Sequence, residues 1–333
     1  MRPIALEANQ PPQRFYRGGE RIAGFRGAAT AEDFTPEDWI GSTTALFGDP
    51  AVGPTRLPGG EKLSDAVVAD PVAWLGAAHV ARWGSDTGLL VKLLDAGERL
   101  PVHVHPDSTF GREHLGLGHG KAEAWTMLAD ADVHLGFTRA ITRAELARWV
   151  RDQDVERMLG AMNPVAVHAG DSIFVPPGLP HAIGEGAFLV EVQEPTDLSI
   201  LLEWRDFRLD GERDGHLRLG FDTALTAVDV SAWDAERVSG LVMRGASRTG
   251  SLLPAAADPF FRMERFDVDG VAQLDPGFSV VVVTDGHGTL AGSAENATPV
   301  SIAAGATLLT PHAAGGLKVA GKVTLLRCRP AAA

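Results

Sequence analysis

The chain has 333 residues, 45% hydrophobic and 22% charged, a globular composition that excludes disorder, a fibrous repeat and a membrane-spanning fold. Its 43 acidic against 30 basic side chains give a formal charge of -13, which repels phosphate backbones and anionic lipid and argues against nucleic acid and membrane partners. The single cysteine, Cys328, excludes an internal disulfide and a thiolate metal cage, so any metal must be held by histidine and carboxylate.

In chain order, the opening MRPIALEANQPPQRFYRGG has no apolar core of signal-peptide length, and no run approaches about 18 uninterrupted apolar residues, so a cytoplasmic protein is expected. Residues 1–60, rich in Gly, Pro and Thr, are expected to wrap a core built by later segments. Leu63, Val67, Val68, Trp74, Leu75 and Ala78 approximate helical spacing and predict a helix across 61–81 despite Pro71. The pattern then changes to short β-compatible runs at 88–95, 124–128, 133–137, 172–175 and 187–193, with turn residues between them. The exception is 138–162, where Thr142-Arg-Ala-Glu145 reads as a capping box leading into Leu146, Trp149, Val150, Val155, Met158 and Leu159, a helical insertion. Many short strands punctuated by Gly and Pro predict a mainly β sandwich or barrel. From about Val238 a second strand-rich region begins, clearest at 278–283 and 300–309. Gly170 to Pro176 and Gly305 to Pro311 share a glycine, five residues and a proline, as a repeated β-unit would. The expected domains are therefore 1–237, with the insertion at about 138–163, and 238–333.

Four of the eleven histidines, His103, His105, His114 and His119, fall within seventeen positions. On an extended strand His103 and His105 leave the same face and can converge on one ion. They close the pattern Gly97-x5-His103-x-His105, and downstream stands Gly170-x5-Pro176-x-Gly178-x2-His181. Together these patterns resemble the two motifs of the cupin superfamily, a jelly-roll barrel in which both halves donate ligands to one metal. The plain alternative makes the histidines exposed strand residues and Pro176-Pro-Gly178 a tight turn. Glu123 is the natural carboxylate ligand. Three imidazoles and a carboxylate leave coordination positions open, as a Lewis-acid catalyst requires; zinc suits the donors best, and manganese, iron or nickel would fit. His114 and His119 read as loop residues. Glu191 and Gln193 share one strand face, opposite Phe188, Val190 and Val192, and with Glu203 are acid–base or hydrogen-bonding candidates. No P-loop, dinucleotide fingerprint or nucleophile elbow is present.

A narrower resemblance is carried by Leu90-Val-Lys-Leu-Leu-Asp-Ala96, Val104-His-Pro-Asp107, Gly120-Lys-Ala-Glu-Ala-Trp125, 170–184 and Glu191-Val-Gln193, with Glu37-Asp-Trp39 weakly at the amino end. These segments resemble the class I mannose-6-phosphate isomerases, a cupin branch with a helical insertion and a second, degenerate cupin-like β-domain. The resemblance implies a divalent metal, usually zinc, and interconversion of an aldose and a ketose phosphate through a cis-enediol. Carried over by position, it implies metal ligation by His105, Glu123 and His181. His103 stands where the family has glutamine. It implies that Lys121 holds substrate oxygens or phosphate, the other reading being a solvated loop lysine. Leu201 stands where the family's active-site arginine is expected, with Arg205 as a shifted substitute. The expected catalytic set is thus Lys121, Arg205 and Glu191, with Lys121, Gln193 and Glu203 binding substrate. In the second β-region, Ala313 replaces Gly178 and Gly316 replaces His181, which suggests a structural or homodimer-forming domain. Three other classes fit the same ligands: a cupin oxygenase using iron and dioxygen, a catalytically inactive sugar-binding module, and a structural metal barrel.

Overall fold

The computed structural model describes residues 1–245, 249–293 and 297–333. Its strands are β1 (Ile4–Leu6), β2 (Glu37–Ile40), β3 (Leu90–Asp95), β4 (His103–Val104), β5 (Glu123–Met127), β6 (Ala131–Phe137), β7 (Met162–Val167), β8 (Ser172–Val175) and β9 (His181–Ile183). There follow β10 (Phe188–Gln193), β11 (Ile200–Leu201), β12 (Val242–Met243), β13 (Gly250–Ser251), β14 (Phe261–Leu274), β15 (Ser279–Gly292), β16 (Val300–Ala303), β17 (Thr307–Thr310) and β18 (Leu317–Pro330). The expected β runs are all strands, and the architecture is the mainly β one that the turn-rich pattern predicted.

Two antiparallel sheets build the first barrel, one in the order β12-β8-β5-β10-β3-β2 and the other β11-β4-β9-β6-β7. Residues directly opposite in an antiparallel pair point to the same face, so the register defines the barrel lining. Trp39, Lys92, Glu191 and Trp125 form one cross-strand row, and Gln193 and Glu123 the next. Glu37, two residues from Trp39, joins the same face. A face carrying Glu37, Lys92, Glu191 and Glu123 on neighbouring strands is a built polar cavity, because burying four charged groups without partners would be prohibitive.

The insertion folds as two helices, Arg143–Asp152 and Val155–Gly160. The Glu145 backbone N–H donates to Thr142 Oγ1 at 3.1 Å, one half of the predicted capping box; the Glu145 carboxylate pairs instead with Arg139. Leu146, Trp149, Val150 and Met158 pack with Phe137, Ile200 and Leu202 in an apolar cluster beside the barrel. The single helix expected across 61–81 is three short ones, Leu63–Ala69, Pro71–Leu75 and Ala77–Trp83. Pro71 cannot continue the first and instead opens the second, capped by Asp70. Gly76, at φ +90, closes the second, and a Cβ there would meet the His312 ring at 2.5 Å.

The second region is a sheet ordered β1-β17-β15-β18-β14-β13, with β16 on β15. Its strand β1 comes from the amino end of the chain, and the pairing switches sheets between β12, bonded to β8, and β13, bonded to β14. The Gly-x5-Pro repeat is structural: Gly170 at φ +92 leads into β8 and Gly305 at φ +88 leads into β17. At Gly305 a Cβ would lie 1.8 Å from the Phe25 carbonyl oxygen, so both the backbone conformation and the close approach require glycine.

Candidate metal centre and the pocket around it

Strand β4 pairs with β9 so that His103 opposes His181, and the His103 and His181 rings lie 4.1 Å apart, centroid to centroid. His105 completes a buried triad whose candidate ligand atoms all lie within 4.8 Å of one another. Each Nδ1 is 2.7–2.8 Å from a backbone carbonyl: His103 at Pro101, His105 at Leu198 and His181 at Leu179. A carbonyl only accepts, so each Nδ1 carries the proton and each Nε2 presents a lone pair. Burial and the neighbouring histidines push His103 well below its ordinary value, and burial with the Lys121 charge pushes His105 down to about 3. Both rings are therefore neutral at physiological pH.

Glu123 on β5 faces these lone pairs, with Oε2 3.0 Å from His105 Nε2 and Oε1 3.2 Å from His181 Nε2. Its carboxyl is buried, yet Lys121 and His105 hold it well below the usual carboxylate range. Ring nitrogens thus face a carboxylate at hydrogen-bond distance, and His181 Nε2 is buried without a partner. A cation placed among these atoms satisfies the arrangement. Lys121 supplies one positive charge, donating to His105 Nε2 at 2.8 Å and to Glu123. The donor set of three imidazoles and one carboxylate fits a divalent ion, with each ring oriented by a carbonyl behind it.

Beside the triad lies a cavity of about 260 Å³, near the lower end of small-ligand sites, roughly 300–1,000 Å³. Glu191 projects into it with Oε1 buried, lacking a hydrogen-bond partner and 3.6 Å from Lys121 Nζ. Burial is the main cause that pushes its carboxyl up to about 7, with Glu123 adding to the rise against the pull of Lys92 and Lys121. Glu37 is the opposite case. Against its desolvation, Arg14 and Lys92 hold it well below the ordinary range, helped by hydrogen bonds from Tyr16 and Trp39. Tyr16 Oη donates to Glu37 at 2.6 Å, Trp39 Nε1 at 2.7 Å and Arg14 Nε at 2.9 Å, while Lys92 Nζ stands 3.2 Å away. Two carboxylates in one cavity are thus driven apart, one fixed as an anion and one able to exchange a proton near neutrality.

No family model matches the chain. It is 29% identical over 239 residues to the mannose-6-phosphate isomerase ManA of Bacillus subtilis, covering 70% of this chain and 72% of that protein. It is 26% identical over 229 residues to the mannose-6-phosphate isomerase of Streptococcus mutans, covering 66% and 69%. The crystal structure of a Bacillus subtilis mannose 6-phosphate isomerase superposes with a TM-score of 0.76 at 24% identity over 99% of this chain and 100% of that one. A phosphomannose isomerase variant from Salmonella typhimurium superposes at 0.74 and 15% identity over the full length of both.

The chain is a homologue of the mannose-6-phosphate isomerases.

Of the residues picked from the sequence, the fold brings His103, Lys121, Glu123 and Glu191 to the cavity lining, with His105 and His181 beside Glu123 behind it. Leu201 opposes His103 in the β11–β4 register and lines the cavity with an apolar side chain. Three candidates are placed elsewhere. Arg205 is exposed and its guanidinium donates to the Asp152 carbonyl at 3.0 Å, because Gln153 Oε1 accepts from the backbone N–H groups of Trp204 and Arg205 and turns the chain toward the insertion. Arg205→Ala is therefore expected to leave kcat and KM at wild-type values in a steady-state assay. Glu203 is consumed by Arg99 and by the Val102 N–H at 2.8 Å, a structural clasp. Gln193, on the Glu123 row, donates to the Glu194 carbonyl at 3.1 Å, keeps a buried Oε1 without a partner and does not line the cavity.

Arg14, Tyr16, Lys92 and Asp197 line the cavity without having been picked out. Lys92 had a readable signal, a lysine in the middle of an apolar strand that proves buried throughout. Arg14 and Tyr16 had none, because residues 1–60 lack periodicity. His114 and His119 stay outside the triad. His114 packs at a tilt against Phe110, and His119 is clasped by Asp86 at 2.6 Å.

Proposed function

We propose that the protein is a metal-dependent aldose–ketose isomerase acting on the mannose-6-phosphate and fructose-6-phosphate pair named for its relatives or on a closely related sugar. The observation that carries this reading is the buried Glu191 carboxyl, whose Oε1 has no hydrogen-bond partner and whose value is pushed up to about 7, in a cavity lined by His103 and Glu123 beside the His105 and His181 rings. His103, His105, Glu123 and His181 would hold one divalent ion, zinc by donor type, and when bound that ion supplies Lewis-acid polarisation of substrate oxygens.

The chain's own residues do the rest. The Glu191 carboxylate takes the proton from the carbon next to the carbonyl and returns it to the neighbouring carbon, with the hydroxyl proton passing between the two oxygens in the cis-enediol that lies between the two steps. A carboxyl with a value near the working pH suits both halves of that transfer. Lys121 Nζ, 3.6 Å from Glu191, donates to the substrate oxygen on which negative charge develops. The Glu37 cluster holds Lys92 charged and fixed, so its ammonium keeps the cavity floor positive. Apolar walls at Leu94, Leu100, Ile183 and Leu201 limit water around the intermediate. We also take the enzyme to work in the cytoplasm and as a homodimer through its second β-domain; among the described residues no helix is long and apolar enough to cross a membrane.

Turnover in D2O tests the reaction class. Product that gains solvent deuterium at C1 or C2 is expected from proton transfer through Glu191, whereas label retained wholly from substrate would indicate hydride transfer and overturn the proton-transfer reading.

A further inference from the structure

The cations that line the cavity differ in how many of their N–H groups are committed. Among the described lining residues they are Arg14, Lys92 and Lys121. Lys121 is held by His105 and Glu123, with Glu191 3.6 Å away. Lys92 stands 3.2 Å from Glu37 and opposite Glu191 in the β3–β10 register. Arg14 commits only its Nε, which donates to Glu37 at 2.9 Å. Its Nη2 is 3.9 Å from Asp197 Oδ1, beyond hydrogen-bond distance, and Asp197 Oδ2 already accepts from the Phe47 N–H at 3.2 Å. Neither Nη nitrogen has a hydrogen-bond partner among the described residues, and both keep contact with solvent.

A guanidinium tethered at Nε with its two-nitrogen edge free is shaped to take two oxygens of one anion. Its aim is fixed from behind. The Arg14 N–H donates to the Phe34 carbonyl at 2.9 Å, Gln13 just before it turns at φ +54, and Tyr16, Trp39 and Lys92 hold Glu37 in place. The charge balance admits an anion. Glu37, Glu123 and Asp197 match the three cations, Glu191 is the fourth carboxyl facing the cavity, and Asp214 is paired with Arg213. A divalent ion on the triad would leave a positive surplus for an anionic substrate to neutralise. Along the sheet, the Lys92–Glu37 pair lies between Glu191 on β10 and Arg14 beyond β2, so the free edge is set apart from the carboxyl that moves the proton. Leu201, opposite His103, offers an anion no donor.

Resting on the isomerase reading above, we infer that Arg14 is the residue that selects a phosphorylated substrate: its Nη edge donates to two phosphate oxygens at the end of the sugar remote from the carbons that exchange the proton. The irregular amino-terminal segment thus supplies specificity to a site whose acid–base group comes from a barrel strand.

The test uses the full chain loaded with zinc, with mannose-6-phosphate, free mannose and inorganic phosphate as probes. It compares the wild type with Arg14→Gln and with Arg14→Lys, which keeps the charge and lacks the fork. Steady-state rates and calorimetric binding are measured, with Tm and zinc content as controls of structure. In the wild type the ester should be preferred to the free sugar, and inorganic phosphate should compete with it. Arg14→Gln is expected to raise KM for the ester by about 10- to 100-fold with a much smaller change in kcat. The ratio of kcat/KM for ester over free sugar should then fall at least tenfold, with Arg14→Lys in between and carrying the test if glutamine unfolds the protein. An unchanged ratio, both sugars losing rate together, would make Arg14 a support for Glu37 alone and overturn the inference. So would a wild type that prefers free mannose, or one that binds neither the ester nor inorganic phosphate. Ester binding without turnover would remove the isomerase reading, while a loss of that binding in Arg14→Gln would still uphold the inference.

Discussion

His181→Ala is expected to abolish turnover and to empty the metal centre, reducing bound metal from about one equivalent to a small fraction by elemental analysis after dialysis. His181 is fully buried, its Nδ1–H is held by Leu179 and its Nε2 has no partner. Disturbing a group behind a metal ligand costs roughly 10–100-fold in affinity, and deleting a ligand outright costs more. Stability supplies a second readout. An ion present at 1,000 times its dissociation constant stabilises the folded state by about 4 kcal/mol. Chelation should therefore lower the wild-type Tm by several degrees and leave the His181→Ala Tm unmoved. A variant that kept stoichiometric metal and lost only activity would remove His181 from the ligand set.

Glu191→Gln is expected to lower kcat by about 10²- to 10⁴-fold, the usual worth of general acid–base catalysis, with bound metal unchanged. Glutamine has nearly the same shape and cannot accept the proton, so metal content and Tm separate lost chemistry from lost structure. The pH profile should carry the same group. Acting first as a base, Glu191 must be ionised, so kcat/KM should rise with pH along an acid limb whose midpoint lies at or below about 7, since a bound cation would pull the value down. In the variant that limb should disappear. The stability term has the opposite slope. A carboxyl raised by burial binds its proton more tightly folded than unfolded, so its contribution is present at acidic pH and is lost as pH climbs from its ordinary value toward 7. Activity and stability should thus trade against each other across that window.

The strands and the histidine cluster were legible because they obey short-range rules. The i, i+2 spacing puts His103 and His105 on one strand face, and the Gly170-to-His181 pattern and Glu123 were readable through the family resemblance, while the β4–β9 and β5–β10 registers that bring them together were not. Lys92 and Glu191 lie opposite one another on β3 and β10 although far apart in the chain, and local pattern carries no trace of that pairing. Arg14 and Tyr16 reach the cavity through an irregular segment tied down by bonds such as Arg14 N–H to the Phe34 carbonyl, which no periodicity announces. Arg205 misled because it was placed by its distance along the chain. Two hydrogen bonds to Gln153 turn the backbone outward just beyond β11, and a side chain follows its backbone.

The path of the chain couples the two β-regions during unfolding. It contributes β1 to the second sheet, crosses to build the barrel, and returns to the second sheet after β12. A fragment beginning at residue 249 would lack β1 and expose the outer edge of β17, whose Leu308 and Leu309 are fully buried in the whole chain. Such an edge is a template for pairing between molecules. Severing the linker would therefore leave neither piece self-sufficient, and the two regions should melt in one transition, with partial unfolding leading to aggregation rather than to a surviving half.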